Sequence, residues 1–230
     1  MRVAIIPARG GSQRIPKKNI REFRGQPIIS YAIRCALKSG LFEKVIVSTD
    51  TEEIARVARN CGAETPFLRS AELADHHTPL VPVIRDAIER AANEATTVCA
   101  ILPTSPCLVS EDLIKASTQL DDDSSLGFVF SGTAFPFPIQ RAVKLDEHGR
   151  VSMFQPEHQL TRSQDLEPAY HDAGQFYFGR KEAWLTHEGI FETSASLMEL
   201  PSYRVQDIDD EQDWQRAELM HELLEKQSLL

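Results

Sequence analysis

The sequence predicts an α/β fold built around a mostly parallel sheet. Short apolar runs alternate with segments of helical periodicity through the first half of the chain, and glycines and prolines separate them. Apolar runs of this length are typical of strands that are buried on both faces. The succession of strand, crossover helix and strand is the arrangement of right-handed α/β units. We therefore expect residues 1–230 to form a single domain.

Each element is predicted from its own pattern. In the first helix, Ile29, Ile33, Ala36 and Leu37 would share the inward face, and Gly40 would end it. Ser110 is the expected cap of a later helix. Strands are expected at 3–6, 45–47 and 98–102, and helices at about 28–38, 51–61, 81–92, 110–120 and 211–225.

The pattern changes after about Ser131. The chain is first rich in proline and aromatic residues and then polar, and helical periodicity is poor. We interpret residues 133–178 as an inserted β-rich arm with substrate loops, whose last residues, 175–178, return to the sheet. The whole sequence shows no internal repeat and no linker between independent domains.

Composition and charge exclude several classes of protein. The net charge of −9 argues against nucleic-acid binding. No apolar run approaches the ~20 residues that span a bilayer, so no membrane association is expected. Because the first residues read directly as a strand, no signal peptide is expected. The four cysteines form no C-x-x-C motif, so we expect reduced thiols in a cytoplasmic protein.

A basic loop follows the first strand and contrasts with the acidic chain. Gly10 and Gly11 open it, and backbone N–H groups at glycines can approach phosphate oxygens closely. A solvated surface turn is the alternative interpretation. The loop is neither a Walker A sequence nor a dinucleotide fingerprint. Its basic residues are Arg9, Arg14, Lys17, Lys18, Arg21 and Arg24.

Two carboxylates near the other end of the chain suggest a metal site. In an extended segment, Asp207 and Asp209 would project to the same side. Mg²⁺ takes few carboxylates and completes its shell with phosphate oxygens and water. The alternative is that the acidic run only caps the final helix. A triphosphate at the basic loop would favour the metal, because a nucleotide needs both a phosphate site and a cation.

Other candidate residues give weaker signals. His76 and His77 lack the spacing of a common metal motif. Ser12 lies in a Gly-Gly-Ser turn without the surroundings of a hydrolase nucleophile. His171 and Asp172 are either acid–base groups or polar lining that reads hydroxyls of a substrate.

Several strings along the whole chain carry a family resemblance. They are IPARGGS at 6–12, IPKKN at 15–19, VSTD at 47–50, LRSAEL at 68–73, PTSP at 103–106 and DID at 207–209. In this order they resemble the CMP-sugar-acid synthetases, the cytidylyltransferases for sialic acid and related sugar acids. FPFPIQR at 135–141, TRSQD at 161–165 and YHDAGQFY at 170–177 resemble the pseudaminic acid branch of that family.

The resemblance implies a Rossmann-like nucleotide-diphospho-sugar transferase fold, a Mg²⁺ requirement and a homodimer in which the inserted arm exchanges across the partner. Arg9 and Lys18 would meet the triphosphate as catalytic residues, and Asp207 and Asp209 would hold the metal and share in catalysis. The nucleotide site would comprise Ala8, Arg9, Gly10, Gly11, Ser12, Lys18, Asn19 and Arg69. The sugar acid would contact Gln140, Arg141, Arg162, Gln164, His171 and Asp172.

Two residues depart from the family pattern. Gln13 stands where many relatives have a lysine, which leaves phosphate contact at that position open, with Arg14 or Lys17 as substitutes. Leu102 stands where the sialic acid enzymes have a glutamine. Losing that polar group fits a sugar with different substituents.

The resulting expectation is transfer of CMP from CTP to the anomeric hydroxyl of a nonulosonic acid, pseudaminic acid. Within the class, a sialic or legionaminic acid synthetase remains an alternative. A non-catalytic nucleotide-sugar sensor and a transferase that uses a CMP-sugar belong to other classes. The sensor would lack the metal carboxylates, yet Asp207 and Asp209 are both present.

Overall fold

A six-stranded sheet with helices on both faces forms the centre of the computed structural model, which describes residues 1–191 and 194–230. The strands in chain order are β1 Arg2–Pro7, β2 Glu22–Phe23, β3 Gln26–Pro27, β4 Lys44–Ser48, β5 Thr97–Ile101, β6 Phe128–Ala134, β7 Val143–Leu145, β8 Val151–Met153, β9 Tyr170–Arg180 and β10 Ala195–Glu199. The helices are α1 Ile29–Ser39, α2 Glu52–Asn60, α3 Leu80–Ala91, α4 Ser110–Asp122, α5 Lys181–Thr186 and α6 Glu211–Lys226.

The sheet has the order β10-β6-β9-β5-β1-β4. β1 pairs in parallel with β4 and β5, and β10 pairs in parallel with β6. β9 runs antiparallel to both β5 and β6. The carboxyl ends of the parallel strands therefore share one edge with the beginning of β9. The predicted α/β class with a mostly parallel sheet is confirmed.

Alternation along β1 places the core on both faces of the sheet. Ala4 and Ile6 pack with α1, α2 and α4, whereas Val3 and Ile5 pack with α3 and α5. All four side chains are fully buried. A third apolar cluster joins the loop after β1 to α6, through Phe23 and residues such as Trp214. That cluster brings the two ends of the chain together.

The predicted elements of the first half are present within one or two residues, with two corrections. Leu37 is 46% exposed, because the buried stripe of α1 follows Ile29, Ile33 and Ala36 and leaves Leu37 beside it. Ser110 is the first residue of α4 and makes no side-chain cap, since Val109 occupies the cap position. Gly40 ends α1 in a left-handed conformation, with φ 65°.

The second half is more ordered than its sequence pattern indicates. β9 begins at Tyr170, not 175, and β6, α5 and β10 were not predicted. The ladder between β6 and β9 continues to the pair Ala134 and Tyr170. The segment that leaves the sheet is therefore 135–169, and we call it the arm. The arm contains the antiparallel pair of β7 and β8.

Many apolar side chains of the arm are exposed. Leu160 is 93% exposed, and Phe137, Val143, Leu145, Val151 and Phe154 are more than half exposed. Among the described residues, no helix is both long and apolar enough to cross a membrane. The four cysteines are free.

Candidate active site

An open cavity of about 550 Å³ lies at the edge of the sheet where β1 and β5 end. Its walls are the loop after β1, the segment that leads into α3 and the residues that follow β5. Open α/β sheets bind their ligands at this edge. Six of the residues predicted to bind nucleotide or metal line the cavity: Arg9, Ser12, Lys18, Asn19, Arg69 and Asp209.

The loop after β1 is fastened to the end of β4 and to the residues that follow it. The buried Ala8 donates its N–H to the last carbonyl of β4 at 2.9 Å, and Gly10 donates to Oδ1 of Asp50 at 2.7 Å. A Cβ at Gly10 would lie 2.4 Å from Cγ2 of Thr51, so the close approach requires glycine. The Gly10 N–H is therefore bonded to Asp50 in this structure and is not available to a phosphate oxygen. The glycine pair thus offers fewer backbone donors to phosphate than its sequence predicts.

Asn19 closes the loop from within. It is buried, and its amide donates to the carbonyl of Arg9 at 2.9 Å. Ser12 donates its backbone N–H to the carbonyl of Gly10 at 3.0 Å. Gly11 is exposed, and a Cβ there would meet no atom within 4 Å. The backbone at Gly11 is therefore open to a ligand.

Three basic residues of the loop face the cavity. Arg9, Arg14 and Lys18 all belong to its lining. Arg9 donates to the carbonyl of Asp75 at 3.1 Å, and Nη2 of Arg14 lies 2.7 Å from Oδ1 of Asp209. These side chains concentrate positive charge around one space of nucleotide size.

The other three basic residues of the loop pair with acidic residues of α2 and α6. Lys17 pairs with a glutamate of α2 at 2.7 Å. Arg21 pairs with the first residue of α6 at 2.5 Å, and its guanidinium lies 4.4 Å from the ring centroid of Trp214. Arg24 contacts Glu222 and Glu225 at 3.3 and 3.1 Å. Each of the six basic side chains of the loop thus has a hydrogen-bond or ion-pair partner in this structure.

Lys18 joins the basic loop to the segment that carries the two aspartates. Its Nζ donates to the carbonyl of Ile208 at 2.6 Å and lies 3.9 Å from Oδ1 of Asp209. Burial lowers the pKa of Lys18, and the carboxylates of Asp209 and Asp207 oppose that effect. The ammonium is thus partly desolvated, which strengthens its interaction with an anion in the cavity.

Asp207 and Asp209 flank a core residue in the segment before α6. Ile208 between them is fully buried, whereas both aspartates reach the surface. Burial of its carboxyl, and next the charge of Asp209, raise the pKa of Asp207. Asp209 lines the cavity, and Asp207 lies beside that lining. Two crowded carboxylates in this position would be stabilised by a cation.

Residues other than Asp207 and Asp209 cap α6. Asp210 accepts the N–H groups of Gln212 and Asp213 at 2.8 and 3.0 Å. The carboxylate of Asp213 accepts the N–H of Asp210 at 3.2 Å, which completes a capping box for α6. The cap of α6 therefore does not need Asp207 or Asp209.

The donor atoms fit Mg²⁺ at this pair. Mg²⁺ prefers carboxylate oxygens and keeps several open positions for phosphate and water. A second group, Asp75, His76 and His77, offers ligand atoms within 4.8 Å of one another at the rim of the cavity. Imidazole nitrogens suit transition metals better than Mg²⁺. Asp207 and Asp209 are thus the better match for magnesium.

A buried ion pair positions the aspartate segment. Arg204 makes two hydrogen bonds with Asp112 of α4. The carbonyl of Arg204 accepts a hydrogen bond from the amide of Gln175 at 2.8 Å. The segment before Asp207 is thereby fixed both to α4 and to β9.

Arg69 is mostly committed to the backbone around the cavity. It is buried, it donates to the hydroxyl of Ser48 at 3.2 Å and also to the Ser48 carbonyl, and it donates to the carbonyl of Leu73 at 3.4 Å. Burial lowers the pKa of Arg69 to about 10, so it stays charged at neutral pH. It shapes the cavity wall as well as adding positive charge.

The residues predicted to bind the sugar do not meet the cavity. In the described part of the chain, its lining includes none of Gln140, Arg141, Arg162, Gln164, His171 and Asp172. The first four lie on the arm, where Gln140 donates to the carbonyl of Glu167 at 2.9 Å and Arg162 pairs with Asp165 at 2.7 Å. One chain alone does not gather these side chains around the nucleotide site.

His171 and Asp172 do not form an acid–base pair. Nδ1 of His171 lies 2.8 Å from the backbone carbonyl of Asp172, not from its carboxylate. The carboxylate of Asp172 instead accepts hydrogen bonds from the N–H of Gly174 at 2.8 Å and the hydroxyl of Tyr177 at 2.5 Å. The two side chains therefore bond to other partners and not to each other.

Sequence reasoning missed two side chains that build the site. Asp50 fastens the loop after β1, and its position directly after the apolar run 45–47 was the available signal. Tyr177 donates to the carboxylate of Asp172, and no spacing rule indicates a contact between residues five positions apart in a strand.

A family model described as cytidylyltransferase matches residues 3–227. The chain belongs to the cytidylyltransferase family. It is an enzyme, a nucleotidyltransferase.

This cytidylyltransferase is 44% identical over 224 residues to the pseudaminic acid cytidylyltransferase of Campylobacter jejuni, with 96% of each chain covered. It is 30% identical to the CMP-N,N'-diacetyllegionaminic acid synthase of Legionella pneumophila, again with 96% of each chain covered. Its fold is similar to that of CMP:2-keto-3-deoxy-manno-octonic acid synthetase in complex with CTP. That comparison has a TM-score of 0.73 and 16% identity, and it covers 98% of this chain and 99% of the other.

The two departures from the family pattern both face the cavity of this cytidylyltransferase. Gln13 and Leu102 belong to its lining. Leu102 also donates its N–H to the carbonyl of Gln175 at 2.8 Å, which joins the end of β5 to β9. An apolar side chain therefore occupies the boundary between the cavity and the first residues of β9.

Proposed function

We propose that this cytidylyltransferase transfers CMP from CTP to the anomeric hydroxyl of a nonulosonic acid, pseudaminic acid, and releases pyrophosphate. The observation that carries the proposal is the convergence of Arg9, Lys18 and Asp209 on one cavity in a chain 44% identical to a pseudaminic acid cytidylyltransferase. A basic wall beside a pair of carboxylates is the arrangement that a metal-bound triphosphate needs.

The nucleotide would bind along the loop after β1. Arg9 and Lys18 would hold the triphosphate by charge-assisted hydrogen bonds, with Arg14 beside them. The open backbone at Gly11 and the hydroxyl of Ser12 would approach phosphate oxygens. Asn19 and Arg69 would keep this wall in shape, since both already bond to backbone around it.

Asp207 and Asp209 would hold Mg²⁺. A cation held there would supply positive charge to offset the negative charge of the triphosphate. Lys18, between the loop and both carboxylates, would keep its charge next to the departing pyrophosphate. Positioning by fixed charges is the main contribution that proteins make to such transfers.

The sugar acid brings a second negative charge to the site. Arg141 and Arg162 would offset the repulsion between its carboxylate and the nucleotide, and Gln140, Gln164, His171 and Asp172 would read its polar substituents. In one chain the arm residues among them lie away from the cavity. We infer that the enzyme is a homodimer in which the arm, with its exposed apolar side chains, packs against a second copy. A cytoplasmic location is supported by the four free cysteines.

Release of pyrophosphate by the purified protein tests the proposed reaction. CTP, ATP, GTP and UTP are each combined with pseudaminic, legionaminic and sialic acids. We expect turnover with CTP and Mg²⁺, fastest with pseudaminic acid. Faster turnover of sialic or legionaminic acid would replace the sugar and keep the reaction. Binding of CTP without turnover of any sugar acid would favour a nucleotide-sugar sensor, and consumption of CMP-sugar would favour a transferase.

A further inference from the structure

Asp172 is an exposed carboxylate that is fixed in place by two donors. Oδ1 accepts the N–H of Gly174 at 2.8 Å, and Oδ2 accepts the hydroxyl of Tyr177 at 2.5 Å. Exposed carboxylates usually rotate freely, which weakens recognition by the entropy of fixing them. Each oxygen of Asp172 keeps a further lone pair for a ligand. The side chain is therefore an acceptor whose direction is set before a ligand binds.

The backbone is shaped to bring these two side chains together. Tyr177 lies five positions after Asp172, so in a regular strand their side chains would point to opposite faces of the sheet. Gly174 between them has a φ of +61°, and the pairing of β6 with β9 shifts its register between Phe130 and Gly132. This irregularity changes the alternation and allows the hydroxyl of Tyr177 to reach the carboxylate.

Tyr177 is a buried donor in this contact. It is 6% exposed and packs in the apolar cluster beneath α3 and α5. Burial, and then the charges of Asp172 and Asp207, raise the pKa of Tyr177, so its hydroxyl stays protonated.

The pair lies beside a residue of the cavity wall. Asp172 and Gly174 lie in the first residues of β9, at the edge where the parallel strands end. A Cβ at Gly174 would lie 4.0 Å from Cδ1 of Leu102, which lines the cavity. A ligand that extends from the cavity past Leu102 would run toward the start of β9, where Asp172 lies.

A fixed carboxylate selects the part of the ligand it meets. It repels the carboxylate of a sugar acid. It accepts hydrogen bonds from donor groups, which in such a sugar are hydroxyl O–H and amide N–H groups. We propose that Tyr177 is a positioning residue that fixes Asp172 as the acceptor for an acylamino N–H or a hydroxyl of the sugar acid. This inference rests on the proposed function and adds a residue that sets its sugar specificity.

The test compares Tyr177→Phe, Asp172→Ala and the double variant in the full-length enzyme, with steady-state constants for CTP and for the sugar acid measured separately. Tyr31→Phe is the matched control, because the hydroxyl of Tyr31 also donates to an oxygen, the carbonyl of Phe23 at 3.0 Å, away from the cavity. We expect Tyr177→Phe to raise the KM for the sugar acid about tenfold, the loss that follows from weakening a hydrogen bond to a charged group. The KM for CTP and the kcat should stay within about twofold, and Tyr31→Phe should change neither KM.

The double variant separates positioning from packing. If Tyr177 acts through Asp172, removing the hydroxyl from the Asp172→Ala enzyme has no further effect on the KM for the sugar acid. A sugar acid in which the donor is removed should lose affinity for the unaltered enzyme and not for Asp172→Ala. An unchanged sugar KM in Asp172→Ala, additive effects in the double variant, or an equal rise in both KM values would overturn the inference.

Failure of the inference differs from failure of the proposed function. Absence of turnover by the unaltered enzyme with every sugar acid refutes both. Normal turnover with unshifted constants in the variants refutes only the role of Tyr177 and Asp172. Because Asp172 is exposed, Asp172→Ala should fold even if Tyr177→Phe does not.

Discussion

The loop after β1 and the arm between β6 and β9 carry the same kinds of side chain, namely arginines, amides and hydroxyls, but they use them differently. The loop is held to the end of β4, to Asp50 and to its own Asn19, and three of its cations face one cavity. The arm is exposed, and its arginines pair with neighbours on the arm itself. Arg9, Lys18 and Asp209, which we propose for the nucleotide and its metal, line one cavity in a single chain, whereas the side chains proposed for the sugar do not line it.

This difference indicates that the loop and the arm obtain their geometry from different contacts. Glycines and buried polar contacts position the loop, so its geometry follows from the chain's own core. The arm has no comparable core, and its apolar residues would be covered only by another surface. Variants on the two sides should therefore fail in different ways.

The largest effect is expected at the aspartates beside the cavity. Asp209→Asn, and less severely Asp207→Asn, should lower kcat by about a thousandfold, because a lost metal ligand costs several kcal/mol in the transition state. Asp210→Asn is the matched control, since Asp210 caps α6. Pyrophosphate release and thermal unfolding are measured for all three. Near-normal turnover of the Asp207 and Asp209 double variant would remove the metal site from this pair.

A second variant addresses the arm. Leu145→Glu combined with Val151→Glu introduces charge on an exposed apolar surface of β7 and β8. We expect light scattering to show the mass of one chain, loss of sugar turnover, and unchanged CTP affinity, because the cavity is built within one chain. An assembly that remains intact with full activity would show that the arm does not complete the site.

The sequence predicted the strands of the first half and the loop after β1 because their signals are local. Apolar runs, the glycine pair and the alternation at Asp207 and Asp209 depend on neighbouring residues, and the structure has the strands, the loop and the two carboxylates at the surface. The role of Arg21 and Arg24 at α6 was not visible, because their partners lie about 190–200 residues away. The strands β6 and β10 were missed for a related reason, since polar residues interrupt their apolar pattern.

A smaller effect separates the two groups of basic residues in the loop. Lys18→Met or Arg9→Met should raise the KM for CTP by about 10- to 100-fold, the loss expected for a charge-assisted hydrogen bond. Arg24→Met should leave that KM unchanged and lower the melting temperature instead, because Arg24 contacts α6. Steady-state kinetics and calorimetry distinguish the outcomes. Equal effects of all three substitutions on CTP would mean that the loop acts only as a diffuse field of positive charge.

The smallest effect concerns the contact between the loop and α6. His221 is buried between Phe23 and Tyr31, and burial lowers its pKa despite the opposing charge of Glu225, while Arg24 and Arg34 add to the lowering. The folded state therefore resists protonation of His221, so its contribution to stability is present above the ordinary pKa of 6.5 and is lost as the pH falls below that value. We expect the melting temperature to fall by about 2–4 °C more between pH 7.5 and 5.5 in the unaltered protein than in His221→Gln. His148→Gln, on the exposed arm, should behave like the unaltered protein. Parallel pH curves for His221→Gln and the unaltered protein would contradict a pH-dependent contact here and leave the cavity assignments unaffected.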